Sequence, residues 1–192
     1  MDLVLVGLPG SGKTAAGRRV ARRRDAELID LDEVIATGAG RPIPAIFEEE
    51  GEAGFRARER AAIAELGPAD ASPGLRRVIS TGGGAPVDPR NRWRLYRGRR
   101  AAWLDAPPEI LAQRVRHSPN PRPLLAGRDP IGKMRDLAAA RARFYAPALR
   151  LNAIIGRYPG VGSTDFWGIS FTPSPLDREP FDAPTFDRQV QL

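Results

Sequence analysis

Eight consecutive residues limit this chain more than any others: Gly7-Leu8-Pro9-Gly10-Ser11-Gly12-Lys13-Thr14. They follow a short apolar run, Leu3-Val4-Leu5-Val6, that reads as a buried strand. They precede Ala15-Ala16-Gly17-Arg18-Arg19-Val20-Ala21, which reads as a helix. A glycine-rich turn in that position lets backbone N–H groups face inward around a polyphosphate, and the helix aims its positive dipole end at the same anion. Gly10, Ser11 and Gly12 form the cradle, Lys13 reaches the outer phosphates as a point charge, and the Thr14 hydroxyl is placed to ligate magnesium. The four specified positions match by chance in about one chain in a hundred of this size, before strand and helix are demanded.

At 192 residues the chain has one domain's worth of core. Its basic residues are 28 Arg and two Lys, so Lys13 is one of very few places where an ammonium was used. The net charge of +7 fits an anionic small molecule and also fits nucleic acid. The arginines are spread over helical segments without aromatic interleaving, so no nucleic-acid partner is expected. With no cysteine there is neither a disulfide framework nor a thiolate metal site, which is compatible with a reducing cytosol. The apolar N-terminus, about five residues without a basic flank, is too short for a signal peptide. No run approaches the ~18 to 20 apolar residues of a membrane span. A cytoplasmic protein with no membrane partner is the expectation.

The second strand, residues 26–30, ends in Asp30, and Asp32 follows; carboxylates at i and i+2 point in similar directions, toward the edge where phosphate loops open. One would hold magnesium and the other a substrate hydroxyl. The competing reading makes Asp32 the cap of a helix over 33–36. A helical insert follows over 38–66, with a segment 43–50 and a separate good helix former over 57–66 that stops at Gly67-Pro68. The third strand, 77–80, runs into Thr81-Gly82-Gly83-Gly84, where the missing side chains allow close approach to the backbone. Asp88-Pro89 starts a helix, with Asp as cap and Pro at its first position. A fourth strand covers 101–104, and a helix opened by Pro107-Pro108 ends near His117, the lone histidine, for which a dipole contact at the helix end is expected. A proline-rich stretch around Arg122 reads as a connection or as a lid carrying that arginine over the phosphates. The long helix over 129–146 puts Arg141 and Tyr145 on one face, and a fifth strand covers 149–155.

Alternating strands and helices imply a parallel sheet covered on both faces. Together the motifs resemble the shikimate kinase family. The resemblance rests on the loop at 7–14, Ile29-Asp30-Leu31-Asp32-Glu33, the stretch 46–56 ending in Gly54-Phe55-Arg56, and Ser80-Thr81-Gly82-Gly83-Gly84-Ala85. It continues through Arg122-Pro123-Leu124-Leu125 and Arg141-Ala142-Arg143-Phe144-Tyr145, in matching order over residues 1–161. It implies an α/β fold: a three-layer α/β/α P-loop kinase with a five-stranded parallel sheet in order 2-3-1-4-5, a substrate-binding insert at 32–66 and a lid at 118–128. It also implies ATP and Mg2+ as cofactors, shikimate as acceptor, and transfer of the γ-phosphoryl group to the shikimate 3-hydroxyl on the route to chorismate and aromatic amino acids, by a monomer. Carried over by position, Lys13, Asp32 and Arg122 are catalytic, and Gly10, Ser11, Gly12, Lys13, Thr14, Arg122 and Arg157 bind ATP. Asp32, Arg56, Gly82, Gly83, Gly84 and Arg141 bind shikimate, and Thr14 and Asp30 hold the metal. Arg114 or Arg116 is expected to flank adenine.

The residue chemistry points the same way, because a small polyhydroxy acid needs fixed cations for its carboxylate and acceptors for its alcohols. A planar guanidinium suits that bidentate task better than lysine. The departure from the family is residues 162–192, with four prolines, five aromatics, a net charge of −3 and no helix or strand pattern. This tail is expected either to cover the sheet near strands one and five with Phe166, Trp167, Phe171, Phe181 and Phe186 or to leave that face exposed. Two other functions remain open from sequence: a sugar-acid P-loop kinase, and a non-catalytic nucleotide- or shikimate-binding regulatory module.

Overall fold

A computed structural model of the chain describes residues 1–70, 72–117 and 129–152. The proline-rich stretch with Arg122, the segment with Arg157 and the aromatic tail therefore lie outside the described residues.

Five strands form one parallel sheet: β1 (Asp2–Val6), β2 (Glu27–Asp30), β3 (Arg77–Ser80), β4 (Arg100–Asp105) and β5 (Leu149–Asn152). Their order is β2-β3-β1-β4-β5, as the family resemblance implied. Parallel neighbours need crossovers, and among the described residues these helices supply them: α1 (Lys13–Arg24), α2 (Leu31–Ala39), α3 (Ile43–Glu65), α4 (Pro89–Tyr96), α5 (Pro108–Arg116) and α6 (Pro130–Tyr145). Among the described residues, no helix is long and apolar enough to cross a membrane.

Side chains of a strand alternate between faces, and β1 shows how that builds two cores. Val4 and Val6 join Ile46, Phe55, Ile63, Leu95 and Met134 on one side of the sheet, whereas Leu5 joins Ala16, Val78, Ala102 and Leu104 on the other. The second core is the smaller, and beside it a cavity of about 960 Å³ is lined by Leu3, Leu5, Val20, Ala102 and Leu149 among others. This is the face near strands one and five for which the tail aromatics were the expected cover; those aromatics lie outside the described residues.

Two local readings are refined. The insert's two helical segments are both present within α3, separated by a kink at Gly51 where φ is 69° and ψ is −175°, and the second starts before residue 57. An ion cluster spans that kink: Glu50 accepts from Arg58 Nε and Nη2 at 2.8 Å each and also from Arg41. The cap of α2 is Asp30 rather than Asp32, because the helix begins at Leu31 and the Asp30 carboxylate accepts the Asp32 N–H at 3.1 Å. Asp88 caps α4 ahead of Pro89, and His117 ends α5 with Nδ1 2.8 Å from the Gln113 carbonyl, both as expected.

At the N-terminal edge of the sheet sits a group that sequence reading overlooked. Asp2, 0% exposed, accepts from Arg77 Nε at 3.0 Å and Nη2 at 2.6 Å, and from Arg99 Nε at 3.0 Å. The guanidiniums continue outward: Arg77 Nη1 donates to the Leu66 carbonyl at 2.9 Å, and Arg99 Nη2 to the Gly67 carbonyl at 2.7 Å. One carboxylate thus joins the starts of three strands to the C-terminal end of α3.

Candidate active site

The segments that follow β1, β2 and β3 converge at the C-terminal edge of the sheet, where open α/β sheets place their ligands. After β1 the loop turns through Gly10, with φ at 81°, and Gly12, with φ at 87°, which caps α1. Gly10 has no room for a larger residue, since a Cβ there would meet the Leu111 carbonyl of α5 at 2.9 Å. Ser11 is 1% exposed and Lys13 8%. The Lys13 ammonium donates to the carbonyls of Gly7 and Leu8 at 2.9 Å each and to Ser11 Oγ at 3.3 Å, so the cation is held over the loop. Arg114 is also set against this loop, its Nη1 3.4 Å from the Gly10 carbonyl, whereas Arg116 is exposed.

Thr14 and Asp30 meet directly. The Thr14 hydroxyl donates to Asp30 Oδ2 at 2.6 Å and lies 3.4 Å from Ser80 Oγ. This donor set is all oxygen, two hydroxyls and one carboxylate, the hard ligands that magnesium prefers alongside phosphate oxygens. Among the described residues there is no cluster of three or more acidic, histidine or cysteine ligands that could hold a metal ion. A cation here would therefore draw much of its coordination from the nucleotide.

Across the edge, α3 brings Arg56 and Glu59 to the triple glycine. Glu59, 1% exposed, accepts from Arg56 Nη1 at 3.1 and 2.9 Å. Glu52, one turn earlier and 55% exposed, accepts from Arg56 Nη2 at 3.2 Å. The glycines are spaced by these same groups. A Cβ on Gly82 would lie 2.8 Å from Glu59 Oε1 and 3.2 Å from Asp32 Oδ1, and one on Gly84 would lie 2.5 to 2.7 Å from the Arg56 guanidinium. Gly83 faces the loop instead, where a Cβ would come within 2.9 Å of Pro9 Cδ. Any side chain in this triplet would fill the space between the phosphate loop, Asp32 and Arg56.

Helix α6 supplies the remaining wall. Arg141 is 9% exposed and Tyr145 1%, the pair that the i, i+4 spacing placed on one face. The Tyr145 hydroxyl donates to the Gly83 carbonyl, and its ring lies 5.6 Å from that of Trp103. Burial pushes the Tyr145 phenol up to about 12, so it stays a neutral donor at physiological pH. Burial also raises the Glu59 carboxyl, and the Asp32 charge adds to this; Arg56 and then Arg141 oppose it without cancelling it.

Twelve of the residues named from sequence, Gly10 to Thr14, Asp30, Asp32, Arg56 and Gly82 to Gly84 with Arg141, thus border one edge, while Arg122 and Arg157 lie outside the described residues. Glu59 was missed. Its signal was present, since Phe55, Glu59, Ala62 and Leu66 follow the spacing of one buried helical stripe, with a carboxylate in an otherwise apolar row.

Comparison with known proteins gives the same picture independently. The shikimate kinase family model matches residues 9–153. Shikimate kinase of Symbiobacterium thermophilum is 46% identical over 82% of this chain and 88% of its own length, and that of Neisseria gonorrhoeae is 47% identical over 74% and 81%. The solved structure of shikimate kinase from Acinetobacter baumannii in complex with shikimate is 39% identical, covers 78% of this chain and 80% of its own, and superposes with a TM-score of 0.70. A matching family model, relatives this similar and a fold with the same sheet order lead to one conclusion: the chain belongs to the shikimate kinase family.

Proposed function

We propose that this chain transfers the γ-phosphoryl group of ATP to the 3-hydroxyl of shikimate, giving shikimate 3-phosphate and ADP. The observation that carries the reading is the assembly of Asp32, Arg56, Glu59, Gly82 to Gly84 and Arg141 around one space directly beside the phosphate loop. Arg56 and Arg141 receive the acceptor's carboxylate, a task for a planar, permanently charged fork. Glu59 holds the Arg56 fork in place. Asp32 orients the attacking hydroxyl and takes its proton as the new O–P bond forms and the bond from the γ-phosphorus to the β,γ-bridging oxygen breaks.

Carboxylates are weak bases toward alcohols. A loose phosphoryl-transfer transition state asks little of the nucleophile before bonding, so late proton acceptance suffices. Gly10, Ser11 and Gly12 present N–H groups to the phosphates, and Lys13 and Arg122 offset charge on the transferring group, with Arg157 beside the adenine. Magnesium, held by Thr14 and Asp30, supplies further charge neutralisation when bound. Residues 1–161 form the kinase domain in this reading, with the insert at 32–66, the lid at 118–128 and the tail at 162–192 outside it, acting as a cytoplasmic monomer.

The test is ADP release from the purified protein with MgATP, with and without shikimate and against a panel of sugar acids. Shikimate-dependent turnover on the ~1 to 100 per second scale of kinases is the expected result. Turnover with another acid and none with shikimate would overturn the acceptor. Asp32→Asn should lower kcat about 100-fold with little change in the KM for ATP.

A further inference from the structure

Arg56 meets the site with two carboxylates already on its guanidinium, and they differ in kind. Glu59 lies within the buried stripe of α3 at 1% exposure, so it stays where it is. Glu52 is 55% exposed and reaches Arg56 Nη2 from one turn away, at 3.2 Å, so it swings into water at little cost. The guanidinium has a limited number of N–H edges, and an edge bonded to one carboxylate cannot also grip another bidentately. Two anions on the same edge also repel.

We propose that Glu52 is an intramolecular stand-in for the acceptor's carboxylate: it occupies the Arg56 fork in the free enzyme and gives it up when the acceptor binds. This rests on the reading of Arg56 as the acceptor's carboxylate clamp. The consequence is selectivity. A simple anion that binds only through its charge merely exchanges one carboxylate for another on Arg56 and gains little. An acceptor that also places hydroxyls against Asp32 gains contacts that Glu52 does not supply. Glu52 is thus a specificity-determining residue that acts through Arg56 rather than on the reacting atoms.

Steady-state kinetics of full-length Glu52→Gln test this. The KM for shikimate should fall about two- to fivefold, the range set by an exposed ion pair, while kcat and the KM for ATP hold. Acetate, competing with shikimate, should inhibit the variant more strongly than the parent by a similar factor. An unchanged or raised KM for shikimate overturns the proposal. Glu48→Gln, which removes an exposed charge from the same helix, is the control; an equal fall there would assign the effect to the general field and overturn the exchange. Arg56→Ala separates the two levels. If it leaves the KM for shikimate unchanged, the clamp reading itself fails. If it raises that KM while Glu52→Gln does not lower it, only the stand-in fails. In the double variant the Glu52→Gln effect should disappear.

Discussion

At Glu59 two demands oppose each other: a carboxylate at 1% exposure loses its hydration, and the Arg56 guanidinium beside it favours the charge. Burial wins, and the carboxyl is held above its ordinary 4.5. An acid with a raised folded-state pKa binds more protons folded than unfolded over the interval between the two values, so its contribution to stability falls as pH rises through that interval. Glu59→Gln removes this slope. Thermal melts of parent and variant from pH 4 upward should show the parent losing ground to the variant above pH 4.5, and parallel curves would contradict the assignment. The same substitution should raise the KM for shikimate roughly tenfold, about 1.4 kcal/mol, by weakening a charge-assisted hydrogen bond that fixes the clamp. Glu59 was hard to see in the sequence because it lies in a run of good helix formers where another Glu reads as a solvated face. Only the burial of its row-mates Phe55, Ala62 and Leu66 distinguishes it.

Among the elements, α2 joins capping to chemistry. The Asp30 carboxylate spends one oxygen on the Asp32 N–H and the other on the Thr14 hydroxyl, so it ties the start of α2 to the start of α1. Asp30→Ala should destabilise the fold by about 1 kcal/mol through the lost cap, read as a lower denaturation midpoint. It should also shift the magnesium dependence of turnover to higher concentration. A variant with the stability loss alone would leave Asp30 a cap and nothing more. The phosphate loop, the strands and the Asp88 cap of α4 were legible because each depends on local residue chemistry. The break of α3 at Gly51 was legible too, as two separate helical segments, but the position of the α2 cap was not, because tertiary contacts decide it. The Arg41, Glu50 and Arg58 cluster that spans the kink joins residues up to 17 positions apart, beyond any helical window.

Over the whole molecule, Asp2 is the clearest stabilising device and carries no sequence signature, since its partners Arg77 and Arg99 are brought to it only by sheet order. Burial would raise its carboxyl, but the hydrogen bonds and charge of Arg77, with Arg99, outweigh that and hold it below the ordinary 3.8. A depressed acid stabilises fully above its unfolded value, and that stabilisation is lost as pH falls through the folded one. Asp2→Asn should therefore cost about 3 kcal/mol at pH 7 by stranding buried guanidinium charge. That lowers Tm by roughly 6 to 12 °C for a chain of this length, with the gap to the parent closing below pH 3.8. Shikimate and ATP kinetics below the melt should be unchanged.

The Asp2 clip and the phosphate loop lie at opposite ends of the same strand, roughly 15 Å apart at the usual rise per residue. Groups at that separation without shared partners add independently. Asp2→Asn and Lys13→Ala combined should therefore melt at the sum of their separate shifts. The fold keeps its mechanical anchor and its chemistry on different rims, so an evolving or engineered acceptor site draws on one rim while the other goes on holding the strands in register.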